Sequence, residues 1–138
     1  MRLQLALNVS DLDKAVDFYT RMFGVEPAKI RPGYANFAIP DPPLKLVLFE
    51  GQGAAGSINH LGVETESADE VVAAEARLRE ADLETTGVED TQCCYAQKTE
   101  TWLAGPDGAR WEWYVKTGDS AQFANLVAGS PGGTCCPA

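Results

Sequence analysis

Positive charge is scarce in this chain. Lys and Arg number 11 against 20 Asp and Glu, for a net charge of −9. That deficit argues against nucleic acid and anionic membranes as partners, because both select basic surfaces. Long apolar runs are also missing: no stretch approaches the roughly 18 residues of a membrane span. A glycine-rich phosphate loop is absent. Gly51-Gln52-Gly53 lies between two strand patterns rather than ahead of a helix, and reads as a linker. Histidine occurs once, as His60, and no cysteine stands alone. All four lie in adjacent pairs, Cys93-Cys94 and Cys135-Cys136. A disulfide framework scatters its half-cystines around a small core, which this pattern does not do. Met1-Arg2 is followed by too few residues before Asn8 to build an apolar signal core. A reducing cytoplasm is the expected compartment.

Adjacent thiols are what the chain has in place of a disulfide network. Neighbouring Cα atoms are about 3.8 Å apart, whereas a comfortable disulfide needs about 4.4 Å or more. Cys93 and Cys94 are therefore poor partners for each other. As thiolates they can share one soft centre, such as trivalent arsenic, antimony, mercury or cadmium. The plainer account is two small apolar residues on a strand, one per face. The second pair, Cys135-Cys136, sits among Gly, Pro and Ser, poor company for a packed element.

With 138 residues, the length suits one domain or two tightly joined modules. Leu3, Leu5, Leu7 and Val9 alternate with Gln4, Ala6 and Asn8, which predicts a half-buried strand. Ser10 or Asp11 can cap a helix carrying Ala15, Val16, Phe18, Tyr19, Met22 and Phe23, with Gly24 to end it. Strands are predicted over Glu26–Arg31, Gly33–Ile39 and Leu44–Glu50. The order then repeats: a strand over Ile58–Glu64, a helix capped by Ser67 or Asp69, and strands over Glu84–Val88, Cys93–Leu103 and Ala109–Lys116. Two βαβββ modules, about 1–51 and 57–117, make a single α+β domain over 1–119. A curved mixed sheet encloses a metal-binding cup with the helices outside. Residues 120–138 are expected to form a flexible tail. The stretch from about Glu89 to Glu100 is expected to be a mobile loop carrying the thiols.

If the apolar face of each strand meets the helices, the polar face meets the cup. Gln4 then points inward, and His60 takes the matching place in the second module. Glu112 lies between Trp111 and Trp113, on the face opposite to theirs. A carboxylate in such a strand needs a cation, a metal or a proton. Gln4, His60 and Glu112 offer one nitrogen and two oxygen donors, a set that suits a reactive divalent metal. In non-haem Fe(II) oxygenases two histidines and a carboxylate usually play this part; here glutamine stands in for one histidine.

These segments resemble a known family. The doubled βαβββ plan looks like the vicinal oxygen chelate superfamily of glyoxalase and extradiol dioxygenase type. Leu3–Val9, Arg31–Ile39, Pro42–Leu48, Asn59–Glu64 and Cys93–Ala96 are similar to the cadmium-induced and ArsI-type proteins, the carbon–arsenic lyases. The resemblance covers about residues 2–119. It implies Fe(II) held by Gln4, His60 and Glu112, with O2 as co-substrate. It also implies a small-molecule trivalent organoarsenical held by Cys93 and Cys94, with Tyr95 and Lys98 lining the substrate. Cys135 and Cys136 are a candidate accessory arsenic(III) site. Relatives carry Asp-Lys where this chain has Glu100-Thr101, and Lys98 can supply the missing charge. A homodimer is compatible with this plan, although no seam in the sequence marks its interface.

Three functions fit these residues. One is Fe(II)- and O2-dependent cleavage of the carbon–arsenic bond of methyl or aromatic arsenicals to arsenite. Another is non-catalytic sequestration of cadmium or arsenic by thiolates. The last is a glyoxalase-like small-molecule binding module in which the cysteines are incidental.

Overall fold

A computed structural model describes residues 1–93, 95–121 and 126–127. In chain order the elements are β1 (Arg2–Val9), α1 (Leu12–Phe23), β2 (Lys29–Arg31), β3 (Tyr34–Ile39), β4 (Leu44–Glu50) and β5 (Ile58–Glu64), followed by α2 (Ala68–Glu80), β6 (Glu89–Cys93), β7 (Ala96–Ala104), β8 (Arg110–Asp119) and β9 (Leu126–Val127). The chain divides into two compact units, one of residues 2–61 and one from Gly62 onward, so the division falls inside β5.

In the first unit the strand order is β2-β3-β4-β1, with the first half of β5 beside β1. β1 and β4 run parallel; β2, β3 and β4 pair antiparallel. The local reasons are those the sequence supplies. Asp11 accepts from the Lys14 backbone N–H at 3.1 Å and starts α1. Gly24, at φ 66°, ends it in the left-handed conformation that glycine adopts without steric cost. Under α1 lies a cluster of Leu12, Ala35, Phe37, Ile39, Leu46 and Leu48, joined by Leu5, Leu7 and Val9 of β1. The apolar face of β1 is thus spent on the helix side. Its other face, Gln4, Ala6 and Asn8, is the more deeply buried of the two, while Leu5, Leu7 and Val9 are partly covered and Leu3 is exposed. Pairing of Gln4 with Lys45 and of Asn8 with Phe49 fixes that face in register.

In the second unit the order is β8-β7-β6-β9, all antiparallel. Ser67 accepts from the Glu70 N–H and caps α2. Val71, Ala74 and Leu78 form the buried stripe of this helix, which lies against β7 and β8. The fold is α+β, as the repeat pattern predicts.

Three local expectations are corrected. The strand predicted over Glu84–Val88 does not form, and regular structure begins at Glu89. Gly87 sits at φ 82°, and its N–H bonds to the Thr85 hydroxyl at 3.2 Å rather than to a ladder. The strand predicted over Glu26–Arg31 shortens to Lys29–Arg31, because Pro27 has no N–H to donate. The loop expected over Glu89–Glu100 is instead a hairpin of β6 and β7, in which Cys93 pairs with Ala96. Of the expected tail, Leu126 and Val127 pair with Gln92 and Thr91; Cys135 and Cys136 lie outside the described residues.

Candidate metal and thiol site

The first unit brings two of the candidate ligands together. β1 presents Gln4 and β5 presents His60, each nearly inaccessible. Gln4 Nε2 lies 3.0 Å from His60 Nε2. On the other side of the ring, His60 Nδ1 lies 2.8 Å from Asn59 Oδ1. An amide oxygen only accepts, so Nδ1 carries the proton and donates. Nε2 then holds a lone pair, toward which the Gln4 amide N–H points. That lone pair is the one an imidazole gives to a metal while its other nitrogen is held by a hydrogen bond. Exchanging the two ends of the Gln4 amide would present its carbonyl oxygen instead. The Phe49 ring, 6.2 Å away centre to centre, walls the imidazole.

Glu112 belongs to the second unit and is fully buried on β8. Its cation is Lys98 of β7, whose Nζ donates to Glu112 Oε1 at 2.7 Å. The same ammonium stands 4.8 Å over the Tyr114 ring, and the Tyr114 hydroxyl donates to Glu64 at 2.8 Å. Burial first, and then the Glu112 charge, push the Tyr114 hydroxyl far above the usual phenol range. Lys98, which the resemblance assigns to substrate, is here engaged with a candidate ligand.

A second carboxylate, Glu100, joins this cluster; in the sequence it stands out only as a departure from relatives, not as a site residue. Glu100 pairs with Tyr114 across β7 and β8, two positions along the ladder from the Trp102–Glu112 pair, and is 2% exposed. Burial, and then the neighbouring Glu112 charge, push its carboxyl up to about 8, against the opposing pull of Lys98. Its Oε2 is buried without a hydrogen-bond partner. The signal was present: Lys98, Glu100 and Trp102 alternate along β7 at strand period.

This carboxyl gives the metal-free protein a pH signature. Its ordinary value is 4.5, so between about 4.5 and about 8 the folded state keeps a proton that the unfolded chain releases. The stabilisation is fully present below about 4.5 and is lost as pH rises through about 8. Glu100→Gln is expected to flatten this decline. Thermal melts in chelator at pH 5 and pH 8 check it: parallel slopes in the two proteins would refute the assignment.

The thiols are less fully placed. Cys93 closes β6, and Cys94 lies outside the described residues. Tyr95 follows at φ 61°, half-buried, and its carbonyl accepts from the Ser120 N–H at 3.0 Å. Among the described residues no three His, Cys, Asp or Glu side chains gather into one group. No helix among the described residues is long and apolar enough to cross a membrane.

Residues 3–113 match the model of the Glyoxalase/Bleomycin resistance protein/Dioxygenase superfamily. The chain belongs to this superfamily. Within the glyoxalase superfamily, it is similar to the cadmium-induced protein CadI of Mycobacterium tuberculosis. The two are 55% identical over 124 residues, which cover 90% of this chain and 82% of CadI. It is also similar to a trivalent organoarsenical cleaving enzyme of Thermomonospora curvata, 50% identical over 136 residues covering 98% of this chain and 87% of that one. The fold resembles a Mn(II)-bound glyoxalase from Novosphingobium aromaticivorans. There the TM-score is 0.62 at 18% identity, over 86% of this chain and 40% of that one.

Proposed function

We propose that this protein is an Fe(II)- and O2-dependent lyase that breaks the carbon–arsenic bond of trivalent organoarsenicals and releases arsenite. The observation that carries the reading is the 50% identity to an organoarsenical cleaving enzyme across 98% of the chain. The geometry supports it. His60 directs a lone pair toward Gln4, and Glu112 supplies a buried carboxylate. One nitrogen and two oxygens suit Fe(II) among the divalent ions. A bound Fe(II) would supply the redox chemistry that O2 activation needs.

In this reading the remaining work falls to the chain's own side chains. Thiolates of Cys93 and Cys94 hold arsenic(III), a soft centre, and fix the substrate's orientation. Tyr95 and Lys98 flank it. Burial of Glu100 and Tyr114 keeps bulk water away from Glu112. Holding both reactants in one site makes their encounter intramolecular. Free thiols need a reducing compartment, so a cytoplasmic location is part of this proposal. The accessory arsenic(III) site at Cys135 and Cys136 and a homodimeric assembly belong to the same proposal.

The cadmium-induced relative favours a second reading, thiolate capture without catalysis. One experiment separates the two. The protein is loaded with Fe(II) under anaerobic conditions, methylarsenite is added, and O2 is then admitted. Arsenite release that needs both iron and O2 is the expected result. Arsenic retained on the protein with no arsenite formed would overturn the lyase reading.

A further inference from the structure

A chain of side-chain hydrogen bonds runs through the first unit and ends on His60. The Ser57 hydroxyl donates to the Ala54 carbonyl at 2.5 Å. Asn8 Nδ2 donates to Ser57 Oγ at 3.0 Å. Asn59 Nδ2 donates to Asn8 Oδ1 at 3.0 Å. His60 Nδ1 then meets Asn59 Oδ1 at 2.8 Å.

The direction of each bond follows from the one before. A backbone carbonyl cannot donate, so the single Ser57 hydroxyl proton goes to Ala54. The Ser57 oxygen is left to accept, which turns the NH2 end of Asn8 toward it. Asn8 therefore offers its oxygen to Asn59, and Asn59 offers its own oxygen to the ring. Only an Nδ1–H imidazole completes the series. We infer that Ser57, Asn8 and Asn59 are positioning residues that hold His60 in the Nδ1–H tautomer and so keep the Nε2 lone pair available for a cation.

The backbone holds this relay in place. The Asn8 N–H donates to the Ser57 carbonyl at 2.9 Å, and the Gly56 N–H donates to the Asn8 carbonyl at 2.8 Å. These two bonds clamp the 54–57 segment to β1. Gly53 leaves the space the relay needs. A Cβ there would lie 2.7 Å from Asn8 Nδ2 and 3.1 Å from Asn8 Cγ. Asn8 is itself 5% exposed, so water does not compete freely for its amide. In this proposal the relay acts through His60, on which it ends.

The chain has one histidine, so one imidazole dominates the relevant nitrogen spectrum. The test is long-range 15N–1H NMR of 15N-histidine-labelled, metal-free full-length protein. Wild type is expected to show a protonated Nδ1 and a bare Nε2. Asn59→Leu removes the acceptor and is expected to mix or reverse the tautomers. Asn59→Asp keeps an acceptor and is expected to restore the wild-type signature. Gly53→Ala touches only the far end of the Asn8 side chain, so the fold should survive. It is expected to shift the populations in the same direction by a smaller amount. A wild-type Nε2–H signature, or wild-type spectra in both Asn59→Leu and Gly53→Ala, would overturn the relay.

Metal affinity provides the second readout, and it rests on the reading of His60 as a ligand. Outer-shell losses of this kind typically weaken binding about 10–100-fold. Anaerobic Fe(II) titration of Asn59→Leu is expected to show a loss in that range, with Asn59→Asp recovering it. If wild type shows the expected tautomer but binds no Fe(II), the relay stands and the lyase reading fails. If Asn59→Leu loses affinity with its tautomer unchanged, the effect is merely structural and the relay fails.

Discussion

Cys94→Ser is expected to abolish arsenite release from a trivalent organoarsenical, and Cys93→Ser to do the same. A single thiolate can hold arsenic(III) by one bond, about which the substrate pivots and from which it escapes. Two thiolates on neighbouring residues close a chelate, so the second bond forms within one molecule rather than between two. A serine hydroxyl is a hard donor and stays protonated at neutral pH, so it does not replace the lost sulfur. Misplacement of a reactant by about 1 Å costs on the order of 100-fold in rate, and loss of the chelate displaces it further. Turnover should therefore fall by on the order of 100-fold or more in each variant. Fe(II) binding and the melting temperature should stay near wild type, because serine is close to cysteine in size and neither thiol belongs to the proposed ligand set of Gln4, His60 and Glu112. Arsenite release near the wild-type rate in either variant would remove the thiols from the mechanism. It would also revive the view that this is a glyoxalase-like binding module with incidental cysteines.

That the thiols stand out in the sequence as candidate ligands, and much less as structure, has a physical reason. Adjacency alone argues against a disulfide, whatever the fold. Placing the pair on a strand, loop or turn depends on pairing partners far along the chain. Glu89–Cys93 is polar and weak in strand propensity, yet it pairs with β7 on one side and β9 on the other. Tertiary pairing overrode local preference there. The reverse happened at Glu84–Val88, where a glycine at φ 82° stops a ladder that composition alone invited. By contrast the alternation of β1, the Gly24 stop and the two helix starts are local devices; the sequence narrowed each cap to two residues, Ser10 or Asp11 and Ser67 or Asp69, and the fold uses Asp11 and Ser67.

The same distinction applies within the candidate site. Gln4 and His60 were found by strand parity, which requires only that one face of each strand be apolar. That Glu112 needs a cation also follows from its setting, but that the cation is Lys98 depends on the register of β7 against β8. The Ser57–Asn8–Asn59 relay was not legible. Asn8 and Ser57 are 49 residues apart, and asparagine beside histidine is an ordinary pair until a third polar group orients it.

Loss of the metal is expected from His60→Ala and from Glu112→Gln, and the two variants must be built differently. His60 sits against Phe49 and ends a hydrogen-bond chain. Its removal takes away a nitrogen donor and leaves Asn59 an acceptor that other groups can satisfy. Glu112 is different, because Lys98 is 7% exposed and donates to it. Breaking a buried ion pair from one side typically costs about 3–5 kcal/mol, a large share of the total stability of a small domain. Glu112→Ala would therefore confound unfolding with loss of a ligand. Glu112→Gln keeps an oxygen that Lys98 can bond and removes only the charge a cation needs.

Each variant is expected to lose Fe(II) affinity by on the order of 100-fold or more, since even outer-shell losses cost about 10–100-fold. Gln4→His should keep or tighten binding, because imidazole is the better donor to a borderline cation. In wild type an entering cation competes with the Lys98 ammonium for Glu112, so affinity should rise in Lys98→Met if that variant folds. Anaerobic Fe(II) titration with far-UV circular dichroism on the same samples separates metal loss from unfolding. Unchanged affinity in folded His60→Ala and Glu112→Gln, with no gain in Gln4→His, would show that Gln4, His60 and Glu112 do not share the metal.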